Sequence, residues 1–349
     1  MELLFYGSNY YLKNHYKDGK LKAEENTQPL IFCEENVMKK TTIGGEALIE
    51  GVMMKGPENI AIAVRKSDGE IVIEKQIYVS IAKRYSILKL PVLRGAVGII
   101  ESMIIGVKSL MYSADLVDFE EETQEKPSKI DAFLERVFGD KLKDVAIGFS
   151  VFVALVLGIG LFMILPYLLA IPLNLDRSKA AGNIMYNLFE GAIRIILFFG
   201  YIILISKMKD IQRVFQYHGA EHKTIHCYEH EEELTVENVR KYTTRHPRCG
   251  TAFMFVIMII SIIVFSFIKS EVVLVNILAR LLFIPLIAGL SYEVIRFAGR
   301  TDWKIMRLIS VPGLALQRFT TIEPDDSQIE VAIEALKNVL VDDEEADKW

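Results

Sequence analysis

The chain has 349 residues, of which 51% are hydrophobic and 24% charged, and its mean hydropathy is +0.28. That is too apolar for an ordinary soluble enzyme of this length, unless the apolar residues are gathered into membrane spans and the charges into aqueous segments. A net charge of -5 supplies no basic surface for nucleic acid, so no nucleic-acid partner is expected.

The three cysteines, Cys33, Cys227 and Cys249, are odd in number and share no spacing, which argues against a disulfide framework and fits a reducing compartment. Residues 1–37 lack the basic start and apolar core of a signal peptide and are expected to form a poorly ordered, dispensable extension. Residues 38–90 read as a cytoplasmic β-rich region. From Ile60 two alternating β-branched runs flank Ser67-Asp68-Gly69, a hairpin signal. The glycines at 44, 45, 51 and 56 predict a further strand or tight loop before it. Within 91–117, Arg94, Glu101 and Lys108 recur at seven-residue intervals, which predicts an interfacial or buried amphipathic helix rather than a span. Residues 118–144 read as a polar linker.

Four apolar runs follow, at 145–165, 184–206, 251–268 and 272–292, where about 20 residues cross the hydrocarbon core. The expected fold is therefore an α-helical membrane bundle of about four transmembrane helices, paired within 145–206 and 251–292, with a small cytoplasmic β-hairpin region and a cytoplasmic His-rich loop. Glu190 and Arg194 lie one turn apart in the second run and Arg280 lies in the fourth. The first reading is that Glu190 and Arg194 neutralise each other and Arg280 faces a neighbouring helix, with a functional role as its rival. Lys141 and Lys143 precede the first run, Lys207, Lys209, Arg213, Lys223, Arg240, Lys241, Arg245 and Arg248 lie between the second and third, and Arg296, Arg300, Lys304 and Arg307 follow the fourth. Basic loops stay inside, so both termini are expected in the cytoplasm of a multi-pass cell-membrane protein whose surroundings are the lipid bilayer. In 293–349 the run DDSQIEVAIEALKNVL predicts an amphipathic helix before an acidic tail.

Five of the six histidines fall within 216–251. His218, His222, His226 and His230 recur every four residues and line one side of a helix. Neighbours can share an ion, but a rise of about 1.5 Å per residue separates His218 from His226 by roughly 12 Å, too far for one coordination sphere. His218-Gly219-Ala220-Glu221-His222 matches H-x-x-E-H, in which two imidazoles hold a divalent ion and the glutamate takes a proton from water. Glu221 is thus the candidate general base, and His218 and His222 are candidate ligands of a divalent metal, with zinc expected. A solvated face is the rival reading for the stripe, and is preferred for His230. For a third ligand the sequence offers His226, Glu229, Glu233, His246 and Cys249. Glu229 and Glu233 lie too far along the same helix, so a donor from a returning segment, Cys249 or His246, is expected. Cys249 precedes an apolar helix and follows Arg248, a setting that favours the thiolate. Glu46 and Glu50 are further candidate carboxylates, with exposed loop charges as the equal alternative. The glycine-rich run at 51–56 lacks the ending a phosphate loop needs.

The motifs IGGEALIEGVMMKGP at 43–57, PVLRG at 91–95, YHGAEHKTIHCYE at 217–229, ELTVENV at 233–239, HPRCGT at 246–251 and PGLALQRFTTIEP at 312–324 together resemble the YqhQ-like family of bacterial membrane proteins, catalogued as a domain of unknown function. The resemblance runs over residues 43–340. It implies a metal-dependent enzyme with His218, Glu221, His222, Glu229, His246 and Cys249 at motif positions, and draws attention to Tyr292, Glu293, Gln317, Thr320 and Thr321. For the threonine pair a helix-ending role is preferred over substrate contact. The combined expectation is a zinc-dependent hydrolase at the cytoplasmic face, acting on a peptide or lipid-linked substrate. The alternatives are a membrane protein that moves or senses a divalent ion, a scaffold, and a thiol acyl-transfer enzyme using Cys249 and His246. Substrate and oligomeric state are not legible in the sequence.

Overall fold

The computed structural model describes residues 15–17, 20–22, 39, 41–117, 142–177, 179–247, 249–268, 270, 272–300, 304–341 and 347. Met1–Lys39 and Lys40–Trp349 form two separate units. In the first, β1 (His15–Lys17) pairs antiparallel with β2 (Lys20–Lys22). Most of the expected extension, the linker up to residue 141 and the acidic tail at 342–346 lie outside the described residues.

The second unit opens with an antiparallel meander of β3 (Gly44–Leu48), β4 (Gly51–Lys55), β5 (Asn59–Arg65) and β6 (Ile71–Ile77). The predicted hairpin is β5–β6, with Arg65 opposite Ile71 and Gly69 at φ 91° in the turn. The stretch before it supplies two strands. They are joined through Glu50 at φ 50° and paired so that Glu46 faces Met53.

The helices in chain order are α1 (Ile81–Arg84), α2 (Leu93–Leu116), α3 (Leu142–Ile159), α4 (Leu165–Ala170), α5 (Ala180–Ile205), α6 (Lys209–Glu229), α7 (Val236–Arg240), α8 (Gly250–Phe265), α9 (Val273–Arg300), α10 (Lys304–Thr320) and α11 (Asp326–Lys337). Alternation along the strands divides the sheet's side chains between two cores. Val52, Met54, Ala61 and Ala63 pack with Tyr217 and Ala220 of α6 and with Ile329, Ala332 and Leu336 of α11. Met53, Ile60, Ile62 and Val64 pack with Ile105, Tyr112 and Leu116 of α2. The sheet is thus the middle layer between helices. The amphipathic α11 begins where the sequence signals it, with a capping box between Asp325 and Gln328.

Among the described residues, four helical rods are long and apolar enough to cross a membrane: α2, Gly148–Leu173, α5 and the Val273–Ala298 part of α9. By length and composition this set differs from the expected one. The run at 251–268 forms α8, whose 16 residues rise about 24 Å, short of the roughly 30 Å of hydrocarbon. The segment expected at the interface, α2, has 24 residues and joins the long set. Of its three spaced charges, Glu101 is buried, accepting from Tyr78 Oη at 2.8 Å, Ser80 Oγ at 2.7 Å and the Ile81 N–H at 2.5 Å. Arg94 pairs with Glu293 on α9 through Nε at 2.7 Å, and Lys108 is exposed.

The bundle is built inside out. On α5 the buried residues are Asn183, Tyr186, Asn187, Glu190, Gly191, Arg194 and Phe198, while Ile184, Met185, Leu188, Phe189, Ile196 and Leu204 are exposed. A helix in water turns the opposite face outward; polar residues inside and aliphatic ones outside suit lipid. Glu190 binds Arg194 at 2.5 Å and Arg280 of α9, whose other guanidinium nitrogen reaches Asn187 Oδ1 at 3.2 Å. Arg194 also donates to Ser261 of α8 at 2.5 Å and to the Phe162 carbonyl at 2.8 Å. Phe162 lies four residues before Pro166, which has no N–H to offer it, and a π-helical turn spans Gly160–Ile164. The guanidinium satisfies the carbonyl that proline leaves unpaired.

Candidate metal centre

The site is assembled on the C-terminal half of α6, whose residues from Tyr217 to Glu229 are almost all buried. Gly219 does not break the helix, and its lack of a side chain has a packing cause. The strand of chain after α10 crosses α6 there, with Ile322 N–H bonded to the Phe215 carbonyl at 3.0 Å, and a Cβ on Gly219 would strike the Ile322 carbonyl oxygen. This crossing brings the end of α10 to His218, while residues 244–247 and Cys249 lie along α6 on the α7 side.

One coordinating atom each from His218, His222 and Cys249 lies within 4.8 Å of the other two. His218 Nε2 is 3.3 Å from Cys249 Sγ, and its Nδ1 is 2.8 Å from the Thr320 carbonyl. His222 Nδ1 is 2.6 Å from the Thr244 carbonyl. A carbonyl oxygen only accepts, so both Nδ1 atoms carry a proton, and Nε2 is the atom left to bind a metal once it is deprotonated. Metal-binding imidazoles are commonly oriented in this way, by a backbone acceptor behind the ring. The Thr251 hydroxyl donates to Cys249 Sγ at 3.5 Å, and Cys249 sits at the N-cap of α8.

Burial acts to raise the Cys249 thiol, but the charges and hydrogen bonds of His218 and His222 outweigh it and hold the pKa well below the ordinary value of 9.0. Burial acts to lower His218, and here Cys249, Glu221 and the Thr320 carbonyl win, raising it to about 9. Without metal the two side chains therefore form an imidazolium–thiolate pair, and metal binding displaces that proton. Glu221 is buried, with its pKa raised chiefly by desolvation against the pull of His218 and His222. Its Oε1 accepts the Gly45 N–H at 3.1 Å, whereas Oε2 has no hydrogen-bond partner among the described residues. A Cβ on Gly45 would lie 2.9 Å from the Glu221 carboxyl carbon, so the strand closes tightly over the base. Glu46 on the same strand is raised by burial and by the charge of Glu221.

A second group forms one to two turns further along α6. His226, Glu229 and His246 each offer a coordinating atom within 4.8 Å of the others, and all three are buried. His246 was expected beside His218 and His222; its ring lies between the two groups, with centroids 5.7 Å from His222 and 4.6 Å from His226. The reason is the path of the returning segment, fixed by Gln317. Its Oε1 accepts the His246 N–H and its Nε2 donates to the His246 carbonyl, each at 2.8 Å. Burial and the neighbouring His246 push His226 down to about 3, so it is neutral. Glu50, a further candidate, belongs to neither group: it pairs with Arg213 at 2.5 Å and accepts from Tyr217 Oη at 3.2 Å. His230 is also outside both, its Nδ1 bonded to the His226 carbonyl at 2.7 Å.

The family model described as "Protein of unknown function (DUF1385)" matches residues 90–342. The chain belongs to this family. It is 35% identical over 302 residues, 85% of this chain and 92% of its relative, to the "Uncharacterized protein YqhQ" of Bacillus subtilis (strain 168). No solved structure matches the chain. In this DUF1385 protein the positioning residues that sequence reasoning missed are Gly45, Thr41 and Thr244. The first two lie on a strand and a lead-in far from the histidines in sequence, and the last acts through its main chain. Gln317 and Thr320 were marked only by the family motif: Thr320 ends α10 and holds His218 through its carbonyl, while the Thr321 hydroxyl donates to the Gln317 carbonyl at 2.8 Å. Glu293 pairs with Arg94, away from both groups.

Proposed function

We propose that this DUF1385 protein is a zinc-dependent hydrolase held in the cell membrane by its apolar helices, working at the cytoplasmic face on a peptide or lipid-linked substrate. One observation carries the reading: two imidazoles, each fixed through Nδ1 by a backbone carbonyl, converge with a low-pKa thiol, beside a buried carboxylate oxygen that no other described group engages. Nitrogen and thiolate donors suit zinc, and three protein ligands leave a fourth position for water or substrate. His218 and Cys249 are partly exposed, which supports an open position, since structural zinc sites are closed. A zinc ion bound there supplies Lewis acidity, polarising the scissile bond and making water reactive near neutral pH. Glu221 takes a proton from the attacking water on Oε2 and delivers it to the leaving group, while the Gly45 N–H anchors Oε1. The Thr320 and Thr244 carbonyls keep His218 and His222 in the ligand tautomer.

The outward-facing aliphatic residues of α5 support insertion in lipid, and the basic residues of the segment carrying the site support a cytoplasmic position. An ion-transport reading finds less support, because Glu190 binds both Arg194 and Arg280 between α5 and α9, with Arg194 also bonded to Ser261 of α8, rather than the charges lining an open path. The test is Glu221→Gln in detergent-purified protein, assayed for zinc content and for cleavage of quenched-fluorescent peptides and acyl esters. Zinc content is expected to stay unchanged while turnover falls by about 10²–10⁴-fold. Full turnover in the variant, or no zinc in the unsubstituted protein, removes the basis of the reading.

A further inference from the structure

The second group, His226, Glu229 and His246, takes no part in the proposed hydrolysis, yet it is organised as closely as the first. Its members are 8%, 0% and 5% exposed. His226 Nε2 is 2.8 Å from the Arg245 carbonyl, so that nitrogen is the protonated one and the lone pair falls on Nδ1. Glu229 accepts the Thr41 N–H on Oε1 at 3.2 Å and places Oε2 3.2 Å from His246 Nε2. The Thr41 hydroxyl in turn binds Asp347 at 2.5 Å, and Asp347 accepts from Tyr228 Oη at 2.7 Å. Gln317 fixes the main chain of His246 on both sides. His226 and Glu229 are thus each held by a main-chain partner, and His246 is held through its own main chain, an arrangement akin to the outer shell of a metal site.

We propose that His226, Glu229 and His246 form a second divalent-metal site, closed to solvent, next to the His218, His222 and Cys249 centre. Two imidazoles and one carboxylate, with no sulfur, suit zinc or iron(II). An ordinary buried ion pair between Glu229 and a protonated His246 is the rival account. A proton shared by Glu229 and His246 leaves the His226 lone pair out of the arrangement, whereas a divalent cation draws on a coordinating atom from all three buried side chains. The inference stands apart from the hydrolase reading, because it concerns different side chains and needs no turnover.

The two groups differ in sulfur, and cobalt(II) reports that difference. A thiolate ligand gives cobalt an intense near-ultraviolet charge-transfer band that nitrogen and oxygen ligands do not. Full-length protein in detergent, stripped with a chelator, is titrated with cobalt(II), and bound metal is measured by equilibrium dialysis. Two equivalents are expected per chain, one carrying the thiolate band. Glu229→Gln combined with His226→Ala is expected to lower this to one equivalent with the band intact, and Cys249→Ser to remove the band and leave one equivalent. A single equivalent with the full band in the unsubstituted protein overturns the second site and leaves the first standing; that reading does not depend on any variant folding. A single equivalent without the band, lost on Glu229→Gln, supports the second site and removes the hydrolytic centre. No bound cobalt overturns both.

Discussion

Replacing Glu190 with Gln tests how the helix bundle is held together. Glu190 is 1% exposed and faces two guanidiniums, Arg194 at 7% and Arg280 at 1%. Glutamine preserves the volume and one acceptor but removes the only carboxylate bonded to these two cations among the described residues. Removing one partner of a buried ion pair costs about 3–5 kcal/mol, and with two cations left uncompensated the prediction is the upper end, about 5 kcal/mol. Arg280→Met leaves Glu190 bonded to Arg194, so its cost is predicted to be less than half as large. Combining the two substitutions is predicted to recover part of the loss, because the double variant buries one unpaired charge instead of two. Unfolding by sodium dodecyl sulfate in mixed micelles, followed by circular dichroism, gives the three free energies. A Glu190→Gln protein as stable as the parent, or an Arg280→Met protein less stable than Glu190→Gln, would refute the reasoning.

Three further outcomes follow from the site. Gln317→Leu strips the buried His246 main chain of both hydrogen bonds, at about 1–3 kcal/mol each, and is expected to weaken metal retention under chelator challenge; retention equal to the parent counts against the clamp. Gly45→Ala drives a methyl to 2.7 Å from the Met53 carbonyl and 2.9 Å from Glu221, so turnover should drop with zinc content unchanged, and an active Gly45→Ala enzyme would show that Glu221 needs no such closure. In metal-free Cys33→Ser protein, iodoacetamide should modify Cys249 at a rate that falls less from pH 9 toward neutral than an ordinary thiol's, because His218 and His222 hold its thiol well below the usual value. Cys227, buried and pushed up to about 11, should react slowly and faster as pH rises toward that value; equal profiles for the two thiols would contradict the electrostatics.

Features written in local periodicity were legible in the sequence. The β5–β6 hairpin follows from alternation around Ser67-Asp68-Gly69, α11 from its capping box, and the rods Gly148–Leu173 and α5 from long apolar runs, the second interrupted only by Glu190 and Arg194. The four-residue spacing of the histidines also gave the reason why one ion cannot serve all of them. Which side chains complete each group was not legible, because it depends on how residues 244–247 and Cys249 lie along α6. That path is fixed by a Gln317 side chain 71 residues away in sequence. The same limit applies in the bundle: the Glu190–Arg194 pair is readable from its spacing, whereas Arg280 joins it across 90 residues. Helix lengths were less legible than apolar runs: α8 ends at Phe265, short of the run's end at 268, and the charge of Glu101 in α2 is buried under hydrogen bonds from Tyr78 and Ser80.

The central claim is that the His218, His222 and Cys249 side chains hold a zinc ion in common. X-ray absorption at the zinc edge, recorded on zinc-loaded protein and on Cys249→Ser, tests it most directly. The unsubstituted protein should give a sulfur scatterer at about 2.3 Å together with nitrogen at about 2.0–2.1 Å, and the sulfur component should vanish in the variant. A zinc shell of nitrogen and oxygen alone in the unsubstituted protein would contradict the account.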